Sequence, residues 1–441
     1  MAFFQIQYLL HKYFYILILA YILFHLLIFL LYKNRIKPSS QIFYLIAGII
    51  IIISIGPNSQ NFYLIFNNMG WDYESICGWI EISKLENENL YEVQSSNYIF
   101  KNNYLIPQFS AYYHPFLIPL TKLLCDIEIQ TFNLLSVFFI IIISYILSRI
   151  LDNLNFTIVL CFLFFGFNNL YWLLKTGQFV LLEITALTLG LYLFNKHKVT
   201  PAIISLFIFG IQRIYFFILP LFIALKYLKF KGLILFLSLN IFISIIFYEE
   251  FIYFVDFWFG KNGYFLSKST TRHSFFNESF GANNQSIFML NKSLINTLNI
   301  TVENLILLLS TLLISFIVMF YFYKKLNLKK HDSKENIYIL FLIVFLLFPL
   351  LKPYNFILFS IILCFILNEL NNYNLTIATF LFAVFPTLFW YIFNPFLYVD
   401  RSELSDLNFI FYKIFDTNQF TSSWIIFFLV FFYIRKKNYK N

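Results

Sequence analysis

The sequence predicts an all-α, polytopic membrane protein, and three observations carry that prediction. Of 441 residues only 12% are charged while 60% are hydrophobic. Apolar runs of about 15 to 22 residues recur along the chain, the length that crosses a hydrocarbon core of roughly 30 Å. The ten-residue alternating strands of a membrane barrel are missing, and helices are the other structure that satisfies its backbone polar groups in lipid.

Taken in order, the expected crossings are 13–32, 42–56, 130–151, 156–173, 179–195, 200–211, 214–225, 232–250, 303–323, 337–351, 354–368, 375–395 and 423–434. That is about 11–13 spans in a single membrane domain, 1–441. The pair 200–211 and 214–225 is short for ordinary crossings and reads as a broken or re-entrant hairpin. The first run has no basic n-region and no small-residue cleavage site, so it reads as a retained helix.

Charge orients the spans. One set of loops holds 18 basic residues, among them Lys33, Arg35, Lys196, Lys229, Lys324 and Lys436, against four acids, Asp152, Asp332, Glu335 and Glu369. The other set holds the remaining 13 basic and 18 acidic residues. Basic loops stay in the cytoplasm. The expectation is a multi-pass protein of the plasma or inner membrane, N-terminus outside and C-terminus cytoplasmic, with the net +9 divided as +14 inside and −5 outside. Three long loops, 57–129, 251–302 and 396–422, then lie outside, and long loops in a compact protein usually carry function.

The first outer loop holds "NNMGWDYESICGWIEISKLENENLYEV" (67–93). Ile76, Trp79, Ile80 and Ile82 alternate with Glu74, Ser75, Glu81 and Ser83 in the manner of a short amphipathic helix at the interface. Trp71 and Tyr73 suit an interfacial anchor on either side of Asp72. Four cysteines show no metal-ligand spacing. Cys77 and Cys125 share the first outer loop, which leaves open whether they pair. Excess Phe, Asn, Tyr and Lys (25 Lys against 6 Arg) reads as a compositional bias, so asparagines and Asn-x-Ser/Thr matches such as Asn155 and Asn299 receive little functional weight.

Several short motifs follow one another in a telling order. Asp72 comes just past an early helix. A Leu-x(n)-Tyr element follows (Leu85 to Leu90-Tyr91), and then Tyr113-His114-Pro115-Phe116 to Pro119-Leu120. Gly177-Gln178 opens the fifth helix, Gln212-Arg213-Ile214-Tyr215 marks the hairpin tip, and Asn284-Gln285-Ser286 lies in the second outer loop. Over roughly residues 60–370 this resembles the GT-C membrane glycosyltransferases, in particular glycosyltransferase family 87, the polyprenol-phosphate-mannose-dependent mannosyltransferase type. The chain departs from the family's late Ser-Pro-x-x-Trp-x-His-like element, reading Leu351-Lys352-Pro353-Tyr354-Asn355-Phe356 there, with neither Trp nor His.

The resemblance implies a hexosyltransferase that moves a mannose-like sugar from a polyprenyl-phosphate donor to a lipid- or glycan-linked acceptor on the outer face. Asp72 is the expected general base on the acceptor hydroxyl. A lipid phosphate leaving group needs a fixed cation. Arg213, inside an apolar segment of some 25 residues, is the first choice, with snorkelling to headgroups from a hairpin tip the plainer role. Lys175 and Lys352 are alternatives at outer helix ends. Tyr113, His114, Gln178, Asn284 and Gln285 complete the expected substrate-binding set, with loop geometry the plainer role for His114 and helix capping for Asn284–Ser286. Glu183 lies two turns inside the fifth helix, where it would be costly against lipid.

No Gly-rich phosphate loop or nucleotide fingerprint is present. No cofactor, metal or nucleic-acid partner is expected, only the donor lipid, the acceptor and membrane lipids. Two other classes compete. A transporter or flippase of lipid-linked saccharides would show broken helices in matching halves. A polysaccharide ligase or polymerase would lean on Arg and His.

Overall fold

The computed structural model describes residues 71–86, 99–100, 104–105, 114–177, 180–212, 214–259, 286–288, 291–292, 295, 304–325, 334–348, 351–393 and 418–440. The expected crossings 13–32 and 42–56 lie outside them. The regular elements described are helical apart from one antiparallel pair, β1 (Ile99–Phe100) and β2 (Tyr104–Leu105).

The helices are α1 (Trp71–Glu86), α2 (Ile118–Cys125), α3 (Ile129–Ile150), α4 (Phe156–Phe165), α5 (Asn169–Thr176), α6 (Leu181–Asn195) and α7 (Val199–Gln212). They continue with α8 (Ile218–Ile223), α9 (Phe230–Ile246), α10 (Tyr248–Phe259), α11 (Asn304–Lys325), α12 (Lys334–Leu346), α13 (Phe356–Leu370), α14 (Tyr373–Phe393) and α15 (Asn418–Lys440). From α3 onward each expected crossing has a helix within a few residues of it.

Length and apolarity together qualify two of the described helices as membrane spans, Ile129–Ile150 and Pro353–Leu370, and a third if the bent pair α9–α10 counts as one. Several of the other apolar helices, such as Phe156–Phe165, Leu181–Asn195 and Val199–Ile211, are shorter, and two runs break visibly. The expected crossing 156–173 is divided at Gly166–Asn168, where Phe167 takes φ 53°. The expected crossing 232–250 stops at Ile246 and turns by 110° into α10. The expected hairpin narrows to a 3-10 turn, Ile214–Phe217, followed by α8 and a π turn, Ala224–Leu228. Close approach explains two glycines: a Cβ on Gly190 would sit 2.6 Å from Leu206, and one on Gly232 would sit 2.1 Å from the Ala224 carbonyl oxygen.

The outer helices are inverted relative to a water-soluble fold. In α3, Leu134, Leu135, Phe138, Ile142 and Tyr145 are exposed, while Asn133, Ser136 and Ser144 are buried at helical spacing. Ser136 and Ser144 donate to the carbonyls of Phe132 and Ile140, which removes their need for water. In α11, Leu309, Leu313, Phe316 and Phe320 face outward while Thr311 and Ser315 are buried. The core is α12 and α13, with 89% of the Pro353–Leu370 stretch buried against 39% for α3. Exposed apolar faces with polar side chains turned inward suit contact with lipid rather than water.

Long-range contacts join ends that the charge pattern assigns to one face. At the basic end, Lys334 donates to the Asn195 carbonyl at 2.7 Å and Glu335 pairs with Lys437 at 3.1 Å. There too the Asn153 backbone and side chain bond Asn368 at 2.9 and 2.8 Å. At the other end, the ring of Phe116 meets Phe247 and that of Phe216 meets Phe348.

Candidate functional site

The segment expected as the first outer loop, 57–129, is fastened to the bundle by α1. Asp72 is the second residue of this helix, so the structure places it in a first helical turn rather than in a free loop. Tyr73, expected as an interfacial anchor, is buried instead. Its hydroxyl donates to the carbonyl oxygens of Leu124, at 3.2 Å, and Ile127, and its ring lies 5.0 Å from that of Phe132. Burial pushes the phenol up to about 12, with the Asp126 charge adding to the shift. One turn on, Cys77 forms a disulfide with Cys125. Trp79, Ile80 and Ile82 are also buried, so the expected amphipathic helix exists but packs on more than one side.

The segment entering α2 is built around His114. Pro115 starts a 3-10 turn, and the His114 side chain caps it by accepting from the Phe116 N–H at 3.2 Å. The ring is buried against Phe251 and Phe254 of α10, with centroids 5.9 and 5.1 Å away. Burial holds the imidazole down at about 4, so it is neutral at pH 7, with its proton on Nε2 because Nδ1 accepts. Loop geometry accounts for His114. Below it, Leu117 packs with Phe207 and Ile211, beside the hairpin tip.

The helix α5 is the hub of this end. It touches both α1 and the 3-10 turn Pro353–Asn355. Lys175 is its penultimate residue, and Gly177 follows at φ 63° with its N–H closing onto the Leu173 carbonyl at 2.9 Å. Gly177 is therefore explained as a left-handed helix terminator. Lys352 is half-buried at the cap position before Pro353, and its carbonyl accepts from Asn355 N–H at 2.9 Å. Elements carrying Asp72, Lys175 and Lys352 are thus packed together around α5. Glu183 is 1% exposed in the first turn of α6, where a helix N-terminus favours a carboxylate.

Tyr113, Gln178, Arg213, Asn284 and Gln285 lie outside the described residues. Ser286, next to the last pair, is fully buried. The flanks of Arg213 reach both sides of the site: Ile211 packs with Leu117, and Phe216 stacks on Phe345 of α12. Among the described residues, no group of three or more His, Cys, Asp and Glu is arranged to hold a metal ion.

Three buried amides stand outside the expected substrate-binding set. Asn169 donates to the Ser360 hydroxyl at 3.2 Å and Gln419 donates to the Phe167 carbonyl. Asn355 is fully buried, and neither its oxygen nor its nitrogen has a hydrogen-bond partner. The available signal was position: Asn169 and Asn355 each interrupt or flank a long apolar run at the same end of the bundle.

No family model matches the chain, and neither a curated protein nor a solved structure matches it.

Proposed function

We propose that the chain is a polytopic membrane glycosyltransferase of the GT-C kind, acting on the extracytoplasmic side. It moves a mannose-like hexose from a polyprenyl-phosphate sugar to a lipid- or glycan-linked hydroxyl. The observation that carries this reading is the packing of α5 against both α1 and the Pro353–Asn355 turn. A carboxylate-bearing element and two lysine-bearing elements meet there at one end of an apolar helical bundle. The Cys77–Cys125 disulfide supports placing that end in an oxidising compartment. Nucleotide sugars are scarce there, whereas a lipid-linked donor is at hand.

In the proposed reaction the acceptor oxygen attacks the anomeric carbon while its proton passes to Asp72. The bond from that carbon to the phosphate oxygen breaks, and polyprenyl phosphate leaves with the electron pair. Arg213, Lys175 or Lys352 balances the charge that grows on the phosphate. Tyr113, Gln178, Asn284 and Gln285 are proposed contacts to donor or acceptor.

The test is transfer by the purified protein in lipid nanodiscs, with radiolabelled polyprenyl-phosphate hexoses and a glycan acceptor. Transfer by the wild type that falls by two to four orders of magnitude in Asp72→Asn, with donor binding kept, is the expected result. Flipping of the sugar lipid without transfer favours the transporter reading. That reading has one observation in its support, the two broken helices at Phe167 and at Ile246.

A further inference from the structure

Burying a polar group without a partner is costly, and more so in a membrane, where water is not at hand to compensate. Three residues with such groups lie on elements that are linked around Phe167 and Phe356. Asn169 uses its Nδ2 on the Phe162 carbonyl and the Ser360 hydroxyl, at 3.5 and 3.2 Å, and its Oδ1 is left without a partner. Gln419 uses its Nε2 on the Phe167 carbonyl, leaving Oε1 without one. Because a carbonyl accepts only from a donor, the orientation of both amides is fixed by chemistry, and the stranded atoms are oxygens. Asn355 has both amide atoms stranded. The three residues are 1%, 2% and 0% exposed.

They come from three separate elements that the kink at Phe167 draws together. Its left-handed backbone turns the Phe167 carbonyl out of the helical ladder to Gln419 of α15. The Phe167 ring lies 5.3 Å from Phe356, the residue after Asn355. Ser360, one turn into α13, passes the Asn169 bond on to the Phe356 carbonyl at 3.1 Å. Lys352, half-buried just before this turn, stands at the end of the bundle beside it.

We propose that this amide cluster is the subsite for the hydroxyls of the transferred sugar, with Asn355 its specificity-determining residue. Three acceptor oxygens and one N–H donor, all unmet, ask for a ligand rich in O–H groups that both donate and accept. A hexose supplies these, whereas a lipid tail supplies none and a bare phosphate supplies mainly acceptors. The inference rests on the glycosyltransferase reading for the identity of the sugar's carrier.

The experiment compares Asn355→Leu, Asn355→Asp and Gln419→Leu with the wild type in nanodiscs. The probes are polyprenyl phosphate mannose, polyprenyl phosphate glucose and polyprenyl phosphate without a sugar. The expected result is an affinity for the preferred sugar lipid lowered about tenfold in Asn355→Leu, with the bare lipid phosphate bound within about twofold of wild type. Asn355→Asp, which keeps the shape and an acceptor, should lose less and change the mannose-to-glucose ratio. Equal loss for all three lipids overturns the proposal. So does unchanged binding with raised thermal stability, the signature of a stranded amide removed from a dry or water-filled core. Should the wild type bind bare and sugared lipids alike, the subsite fails while the lipid-phosphate reading stands. Should it bind none of the three, both fail.

Discussion

The disulfide between Cys77 and Cys125 offers the most quantitative handle on this chain. It closes a loop with a sequence separation of 48, for which the chain-entropy relation gives about 4 kcal/mol of stabilisation. The polar and ring ties of Tyr73 are smaller, about 1 kcal/mol for its hydroxyl and about 0.5–1.5 kcal/mol for its ring against Phe132, while buried Trp79, Ile80 and Ile82 hold the helix by packing. Removing the crosslink with Cys77→Ala and Cys125→Ala should therefore loosen α1 on the bundle, leaving its packing to hold it, without melting the bundle. Hydrogen exchange over residues 71–86 should quicken by about three orders of magnitude, the factor equivalent to about 4 kcal/mol. Exchange in the buried helix α13 should stay as it was.

A thiol count tests the premise directly. Cys161 and Cys364 are the free cysteines, so protein unfolded in detergent without reductant should take two maleimide-polyethylene glycol labels, and four after reduction. Four labels without reduction, in protein taken from intact cells under acid trapping, would remove the disulfide. The case for an oxidising outer face would go with it. Unchanged exchange over 71–86 in the double variant would instead show that packing alone holds α1.

The remaining predictions concern charge. Arg213→Ala should weaken binding of polyprenyl phosphate by tenfold or more in a nanodisc titration, with Lys rescuing only in part because it loses bidentate geometry. Undiminished affinity would move the phosphate role to Lys175 or Lys352. For His114, burial lowers the folded-state value to about 4, below the ordinary 6.5, so protonation favours the unfolded chain. Its destabilising effect is nil above about 6.5, grows as pH falls and levels off below about 4, reaching about 3 kcal/mol at most. Thermal unfolding at pH 7 and pH 5 should thus differ more for wild type than for His114→Gln, and equal differences would refute the burial argument.

Helix positions were legible because the length of an apolar run is a local property. From α3 onward the runs end where the helices end, give or take a few residues. The break between 211 and 214 was legible from the short runs on either side of it, but the one at Phe167 was not, because distant residues set it. Phe167 leaves the helical region where its ring wedges between Phe356 and Phe359, and Gln419 captures its carbonyl from 252 positions away. No window of sequence around Phe167 contains those partners. The disulfide was open for the same reason: shared loop membership permits it, but the docking of Tyr73 on the turn after Cys125 brings the thiols together. The amides failed differently. A compositional excess of asparagine was a fair ground for discounting each one, and only burial separated Asn169 and Asn355 from the rest.

Asp72 is where the sequence reading and the fold bear on each other most. A carboxylate in a first helical turn has an ordinary reason to be there, since the helix dipole favours it by about 0.3–1 kcal/mol. The two roles separate by magnitude. Loss of the dipole contribution in Asp72→Asn can shift a linked equilibrium by about fivefold at the most, whereas loss of a general base removes two to four orders of magnitude from transfer. The crosslinked mounting of α1 sharpens the distinction, because the disulfide and the Tyr73 bonds hold the helix whether or not residue 72 is charged. A fall of fivefold or less, with α1 exchange unchanged, makes Asp72 a helix-terminus acid and sends the search for the base to Glu74 and Glu81 on the same helix. A fall of a hundredfold or more, with donor affinity kept, is what a general base requires.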